Sequence, residues 1–272
     1  PEKGGSNRNL SIAGRETGVR RLMTANLLKR LESSVWSFRM TLERILEYMD
    51  DTLDVMDDYK ANCATRRVVV EDTSRQFDFD LDDEEMFFEV GGKTKIDLED
   101  MDWLSWERDI AADVETINVL LSMIKDIDPA HDAKLLELRE EIRQKVEHPI
   151  NAGNRKIMVF TAFADTAEYL YEHLGAFARS ELGLETAVVT GTNPGRCTIK
   201  AVPNDMSSIL ACFSPVSKER DIVAKELERY DIDVLIATDC ISEGQNLQDC
   251  DYLINYDIHW NPVRIVQRFG RI

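Results

Sequence analysis

Four short apolar runs in the second half of the chain limit its fold more than any other feature. They are Lys156-Ile157-Met158-Val159-Phe160, Glu185-Thr186-Ala187-Val188-Val189, Asp233-Val234-Leu235-Ile236-Ala237 and Tyr252-Leu253-Ile254-Asn255. None alternates polar with apolar residues, so each reads as a strand buried on both faces, the habit of parallel sheets. Helical stretches separate them. Asp165-Thr166-Ala167-Glu168 resembles a capping box opening a helix to about Arg179, a second helix is expected over Lys218–Arg229, and Pro262 starts a last one. The expected fold class is therefore α/β, a parallel sheet with helices on both faces. Ligands of such sheets sit beyond the carboxyl ends of the strands, and Thr161, Thr190 and Thr238 lie just past three of those ends.

The first half reads differently. Residues 1–18 are rich in Gly, Ser and Asn and form a flexible lead-in. Leu28, Leu31, Val35, Phe38, Leu42, Ile45, Met49, Leu53 and Met56 recur every three or four residues. That seam predicts a helix of roughly 35 residues, packed on neighbouring helices or on a second copy as a coiled coil. Residues 62–102 form an irregular acidic insertion, in which Arg66–Val70 is a short strand candidate. Asp78, Asp80, Asp82, Asp83, Glu84 and Glu85 cluster there without the central Gly and terminal Glu of an EF-hand. Helices follow at about 103–127 and 131–147, separated by Asp128-Pro129. His148–Asn154 is a turn-rich joint, giving a mainly helical region at 19–150 and an α/β domain at 151–272. Arg196–Phe213 reads as a long loop.

The net charge of −18 argues against a nucleic-acid binder if spread evenly, because phosphate contacts need Lys and Arg. It is not spread evenly. Residues 51–102 carry a net −11, whereas 151–272 carry −5. The five cysteines form no C-x-x-C pair and the four histidines are scattered, so reduced thiols and no metal site are expected. No apolar run is long enough for a transmembrane helix, and the start lacks an apolar signal region, which points to a cytoplasmic protein without membrane partners.

Chemistry concentrates near the end. Gln267-Arg268-Phe269-Gly270-Arg271 follows a strand, a loop with Ser242-Glu243-Gly244-Gln245-Asn246-Leu247, and another strand. An arginine after a glycine in this position can offer a fixed positive charge to a γ-phosphate held by another domain. The sequence has no G-x-x-x-x-G-K-[ST] loop of its own. Plainer readings stand beside this one: surface or structural ion pairs for Arg271 and Arg268, a turn glycine for Gly244, a strand-end cap for Thr238, and a core or cleft-edge aromatic for Trp260.

Together these segments resemble the second RecA-like domain of superfamily-two helicases, and more narrowly the Swi/Snf-like group of duplex translocases. Lys156–Phe163 looks like motif IV, Thr190-Gly191-Thr192 like the threonine-glycine element, and Ala237–Leu247 like motif V. His259-Trp260-Asn261-Pro262 through Arg271 looks like the approach to motif VI and motif VI itself. Leu28–Ser34 resembles the segment after the first motor domain, so the helices would match the family's protrusions. Within the group, the bacterial polymerase-recycling ATPase and stand-alone bacterial and archaeal helicase-like proteins are most similar.

The resemblance implies roles. Arg271 would face the γ-phosphate, with Gln267 ordering its loop. Gly244, Asn246 and Arg268 would lie near the nucleotide. Thr161, Thr190, Gly191 and Thr238 would touch the DNA phosphate backbone through hydroxyls or amides. ATP and Mg²⁺ would be held mainly by an absent N-terminal RecA-like domain acting in cis, with none bound by this piece alone. Double-stranded DNA is the expected substrate, and RNA polymerase or another protein complex a further partner. An ending within motif VI is expected of a piece of a larger motor. The alternatives are a non-catalytic RecA-like interaction module, acting through its long helix and acidic loop, and an RNA-directed helicase of the same superfamily.

Overall fold

The computed structural model describes residues 12–62, 69–70, 96–97, 102–191, 195–241, 245–258 and 261–270. The chain runs through α1 (Ile12–Ser33), α2 (Val35–Asn62), β1 (Val69–Val70), β2 (Ile96–Asp97), α3 (Trp103–Ile124) and α4 (Ala133–Glu147). It continues with β3 (Ile157–Phe160), α5 (Ala164–Leu182), β4 (Thr186–Val189), β5 (Arg196–Cys197) and α6 (Met206–Phe213). Then come α7 (Arg220–Val223), β6 (Val234–Ala237), β7 (Leu253–Asn255) and α8 (Pro262–Phe269).

The four apolar runs form the sheet, in the order β5-β4-β6-β3-β7. β4, β6, β3 and β7 are parallel, and β5 is an antiparallel edge strand on β4. Side-chain alternation splits the interior in two. Met158, Phe160, Ala187, Val189, Leu235 and Ala237 face α6, whereas Ile157, Val159, Val188, Val234 and Ile236 face α4 and α5. Helices thus cover both faces of a mostly parallel sheet, as the uninterrupted apolar runs require.

Helix ends follow local chemistry. α5 closes on Gly183 in the left-handed region (φ 61°), and the Leu184 amide donates back to Ala178 O at 3.0 Å. Asp132 caps α4 by accepting from the amides of Lys134 and Leu135. The expected capping box at 165–168 is not the start of α5. That helix begins at Ala164, and Asp165 instead pairs with Arg30 at 3.0 Å and Arg44 at 3.3 Å.

Three other expectations change. The long seam is two helices with a corner at Ser34, because the Ser34 hydroxyl leaves the helix pattern to accept from the Ser37 amide at 3.0 Å. The long loop at 196–213 contains β5 and α6. Asp205 caps α6 through the Ser208 amide at 2.8 Å, and Ile209 to Phe213 fill the core on that face. The helix expected over Lys218–Arg229 shortens to α7 plus a 3₁₀ turn at Lys225–Leu227. In the acidic insertion only the β1–β2 pair is described, with Val70 opposite Ile96, so the Asp78–Glu85 cluster lies outside the described residues.

α2 and α3 pack through Phe38, Leu42, Ile45 and Ile117, with Leu27 of α1 against them, and through Met56, Tyr59 and Ile110. α4 does not share that core. Its Leu135, Leu138 and Ile142 are buried with Ile157, Val159 and Leu170 of the α/β layer, although α4 precedes the joint at 148–154. Leu135 is completely buried, so Leu135→Ala is expected to lower unfolding free energy by about 2–5 kcal/mol, through lost transfer energy and a residual cavity. Urea denaturation of the variant checks this. A change below about 0.5 kcal/mol would place α4 outside the core.

Candidate nucleotide and nucleic acid site at the carboxyl edge of the sheet

The strand register places three expected residues side by side. Val189 and Phe160 both pair with Ala237, so Thr190, Thr238 and Thr161 follow in one row across β4, β6 and β3. The backbone confirms the row: Thr161 N–H donates to Ala237 O at 3.0 Å, and Thr238 N–H donates to Val189 O at 3.2 Å. All three side chains are buried, while Gly191 beside them is exposed.

Their hydroxyls have different fates. Thr161 is engaged within the chain. It is fully buried, and its hydroxyl donates to Asp257 Oδ2 at 2.6 Å. Its amide is engaged as well, donating to Ala237 O. Asp257, just beyond β7, holds the hydroxyl, and sequence reading gave it no part. The Thr238 hydroxyl, by contrast, finds no partner among the described residues.

Arg268 resolves toward the ion pair. It is completely buried and grips Asp239 with two prongs, Nε to Oδ1 at 2.7 Å and Nη2 to Oδ2 at 2.8 Å. Nη1 donates to Asn255 Oδ1 at 2.9 Å, and the guanidinium lies 5.1 Å from the centre of the Phe160 ring. This bridge ties α8 to the ends of β6, β7 and β3 at once. Such a bidentate, charge-assisted grip is the geometry that Arg alone provides. Asn261 caps the other end of α8 by accepting from the Val263 amide at 3.0 Å, and Pro262 occupies the first turn. On the outer face of α8, Val263, Val266 and Phe269 are exposed.

The loop after β6 is anchored by buried Ile241 and Leu247. Asn246, beside it, is exposed and accepts from the Gln248 amide at 3.4 Å. Gln267 is half-buried, and its side-chain carbonyl oxygen has no partner among the described residues. Lys218 donates to Gln245 Oε1 at 2.5 Å. Asp249 accepts from the amides of Val216 and Ser217 at 2.7 and 2.9 Å, which locks the neighbouring turn. Burial alone would raise the Asp249 carboxyl, but the Ser217 hydroxyl, which also donates to it, and these two amides outweigh burial and hold it below the usual range. Gly244 and Arg271 lie outside the described residues, as do Thr192, His259 and Trp260.

A second polar cluster borders the row, and sequence reading missed it. Ser33 and Ser34, at the α1–α2 corner, reach Thr166 at 2.9 Å each, and Ser33 also donates to Asp257 Oδ2 at 2.7 Å. Lys134 donates to the carbonyls of Glu32 and Ser33 at 2.7 and 3.0 Å and sits 4.2 Å from the Tyr256 ring centre. Burial lowers the Lys134 ammonium below its usual range despite nearby carboxylates. The only advance signal was Ser-Ser interrupting an apolar seam.

No group of three or more metal-ligating side chains occurs among the described residues, and both Asp239 oxygens are engaged by Arg268. No helix among them is long and apolar enough to cross a membrane.

The chain is 32% identical over 162 residues to the uncharacterized ATP-dependent helicase YqhH of Bacillus subtilis, covering 60% of this chain and 22% of that protein. It is 33% identical over 69 residues to the ATP-dependent RNA helicase eIF4A of Saccharomyces cerevisiae, covering 25% and 18%. It is 24% identical over 136 residues to the ATP-dependent DNA helicase fml1 of Schizosaccharomyces pombe, covering 50% and 14%. The chain therefore spans about a fifth or less of the length of these relatives. A family model described as the helicase conserved C-terminal domain matches residues 133–272, beginning at α4, whose side chains fill the sheet's core. The chain belongs to the helicase conserved C-terminal domain family.

Proposed function

We propose that this chain is the arginine-bearing half of an ATP-dependent motor that tracks along double-stranded DNA, of the Swi/Snf-like type. The observation that carries the reading is the bridge from Arg268 to Asp239 and Asn255. It joins the segment after β6 to the helix that leads into Arg271, making two distant stretches of sequence one surface at the carboxyl edge. In this reading Arg271 neutralises charge on the transferring phosphoryl group, and Gly244, Asn246 and Gln267 line the nucleotide. Thr190, Gly191 and Thr238 contact the phosphate backbone and carry no sequence information. A first RecA-like domain supplies the phosphate loop and Mg²⁺ ligands in cis. The charge distribution supports a backbone track on the α/β part, since most of the acidic excess lies in 51–102. The polymerase or other complex served, and the cytoplasm as its place of action, belong to the same proposal.

The RNA-directed alternative has one observation in its favour, the match to eIF4A over 69 residues. The longer match to the ATP-dependent DNA helicase fml1, over 136 residues, and the Leu28–Ser34 lead-in favour the DNA reading.

Two measurements test the proposal. The chain alone, given ATP, Mg²⁺ and duplex DNA, is expected to turn over below about 0.01 s⁻¹, far under ordinary enzyme rates. Faster hydrolysis would mean that it holds a complete site. Duplex binding by the chain alone is expected to be weak, because few phosphates are neutralised and the net charge of −18 opposes approach, and to fall with salt at the modest slope that a few phosphate contacts give. Tight, salt-insensitive binding would contradict the backbone-track reading.

A further inference from the structure

Two arginines converge on one carboxylate beside the threonine row, and this arrangement supports an inference that rests on the backbone-track reading. We propose that Arg44 of α2 is a phosphate contact for duplex DNA, extending the track from the sheet edge onto the helical region.

The carboxylate is Asp165, in the first turn of α5, which starts just after the β3 end of the row. It accepts from Arg30 Nη1 at 3.0 Å and from both prongs of Arg44, Nη1 to Oδ2 and Nη2 to Oδ1, at 3.3 Å each. The two arginines are not equivalent. The Arg30 side chain is 3% exposed, bonds Ser37 Oγ as well, and lies 4.9 Å from the centre of the Phe163 ring, so it stays with Asp165. The Arg44 side chain is 46% exposed. Two guanidiniums against one carboxylate leave a surplus positive charge, and it falls on the exposed partner.

A change of partner costs little there. When Arg44 turns to a phosphate, Arg30 still neutralises Asp165, so no carboxylate is left stranded in a part-buried place. The contact given up is a long one on a half-exposed side chain, the kind that contributes little to stability. The planar fork of a guanidinium suits phosphate oxygens as well as carboxylate. Lys134, also near the α1–α2 corner, is held by the carbonyls of Glu32 and Ser33. Glu43 and Glu47 are exposed on either side of Arg44 along α2, so the surface offers a single phosphate contact and not a basic patch.

The test is a salt titration of binding between this chain and a short labelled duplex. Arg44→Ala is compared with Arg108→Ala, which removes the same charge from an exposed arginine near the start of α3. Neighbouring Glu107 meets Lys60, about 24 Å along α2 from Arg44 and well beyond the screening length. Arg44→Ala is expected to weaken binding about three- to tenfold at about 50 mM salt, and to lower the slope of log K against log salt by about 0.9, the share of one phosphate. Arg108→Ala is expected to stay within about 1.5-fold of the unmodified chain with the same slope. Arg44→Lys is expected to keep the slope, because charge sets it. Equal behaviour of Arg44→Ala and Arg108→Ala would overturn the proposal and leave the track reading standing. A slope that falls as far in Arg44→Lys as in Arg44→Ala would overturn it too. No measurable duplex binding by the unmodified chain at low salt would overturn the track reading, and the Arg44 contact with it.

Discussion

Arg271→Ala, in the protein that carries both RecA-like domains, is expected to lower DNA-stimulated turnover at least about 100-fold. A finger arginine stabilises charge that develops on the transferring phosphoryl group, and comparable arginines contribute on the order of 10³–10⁵ in rate. Positioning and the metal ion held by the other half of the proposed motor would keep part of the rate, which sets the smaller figure. Nucleotide affinity should move by less than about tenfold, because in the proposed motor a phosphate loop on the other domain would hold the ground state. Arg271→Lys should fail almost as badly as Arg271→Ala, since an ammonium cannot present a planar two-pronged donor. Steady-state ATPase assays and separate nucleotide-binding measurements read the two effects independently. Near-normal turnover in Arg271→Ala would make this arginine an ordinary ion pair.

Arg268→Ala should act through folding as well as function. Removing the guanidinium leaves the Asp239 carboxylate, itself only 7% exposed, without its two donors. Breaking a buried pair from one side typically costs about 3–5 kcal/mol. That is a large part of the roughly 5–15 kcal/mol that holds a domain folded. Arg268→Lys should recover only part of it, because one ammonium cannot span both Asp239 oxygens and Asn255. The double change Arg268→Met with Asp239→Leu separates stability from coupling. An apolar pair of similar volume should restore most of the stability, since replacing a buried ion pair is often neutral. It should not restore turnover, because the polar bridge between the β6 loop and α8 is gone. Denaturation midpoints and ATPase rates of the three variants check this. A fully active double variant would show that the bridge is only a brace.

The α/β layer was legible because apolar runs buried on both faces leave a parallel sheet as the straightforward arrangement. The row of Thr190, Thr238 and Thr161 followed from the same logic, as each is the first residue beyond a strand. What was hidden depends on contacts between distant residues. Thr161 and Thr238 look equivalent in sequence, yet only Thr161 has Asp257 within reach, 96 positions later. Arg268 and Arg271 look alike as arginines of one motif, and only packing shows that Arg268 turns inward to Asp239. The corner at Ser34 was masked by an apolar periodicity that continues through it, because hydroxyls broke the helix without interrupting the seam. The place of α4 was obscured by the turn-rich joint after it, which marks a bend in the chain and not the edge of the core. Loop chemistry misled at 196–213, where polar residues before Asp205 concealed the apolar run that forms α6.

The central claim is that this domain completes an ATPase whose activity depends on duplex DNA. Its most direct test is steady-state ATP hydrolysis by the longer protein without nucleic acid, with duplex DNA, and with RNA. Arg271→Ala is measured alongside. Duplex DNA is expected to stimulate turnover at least about tenfold over the other two conditions, and Arg271→Ala to abolish that stimulation while ATP still binds. Hydrolysis that is indifferent to nucleic acid, stimulated only by RNA, or unaffected by loss of Arg271 would contradict it.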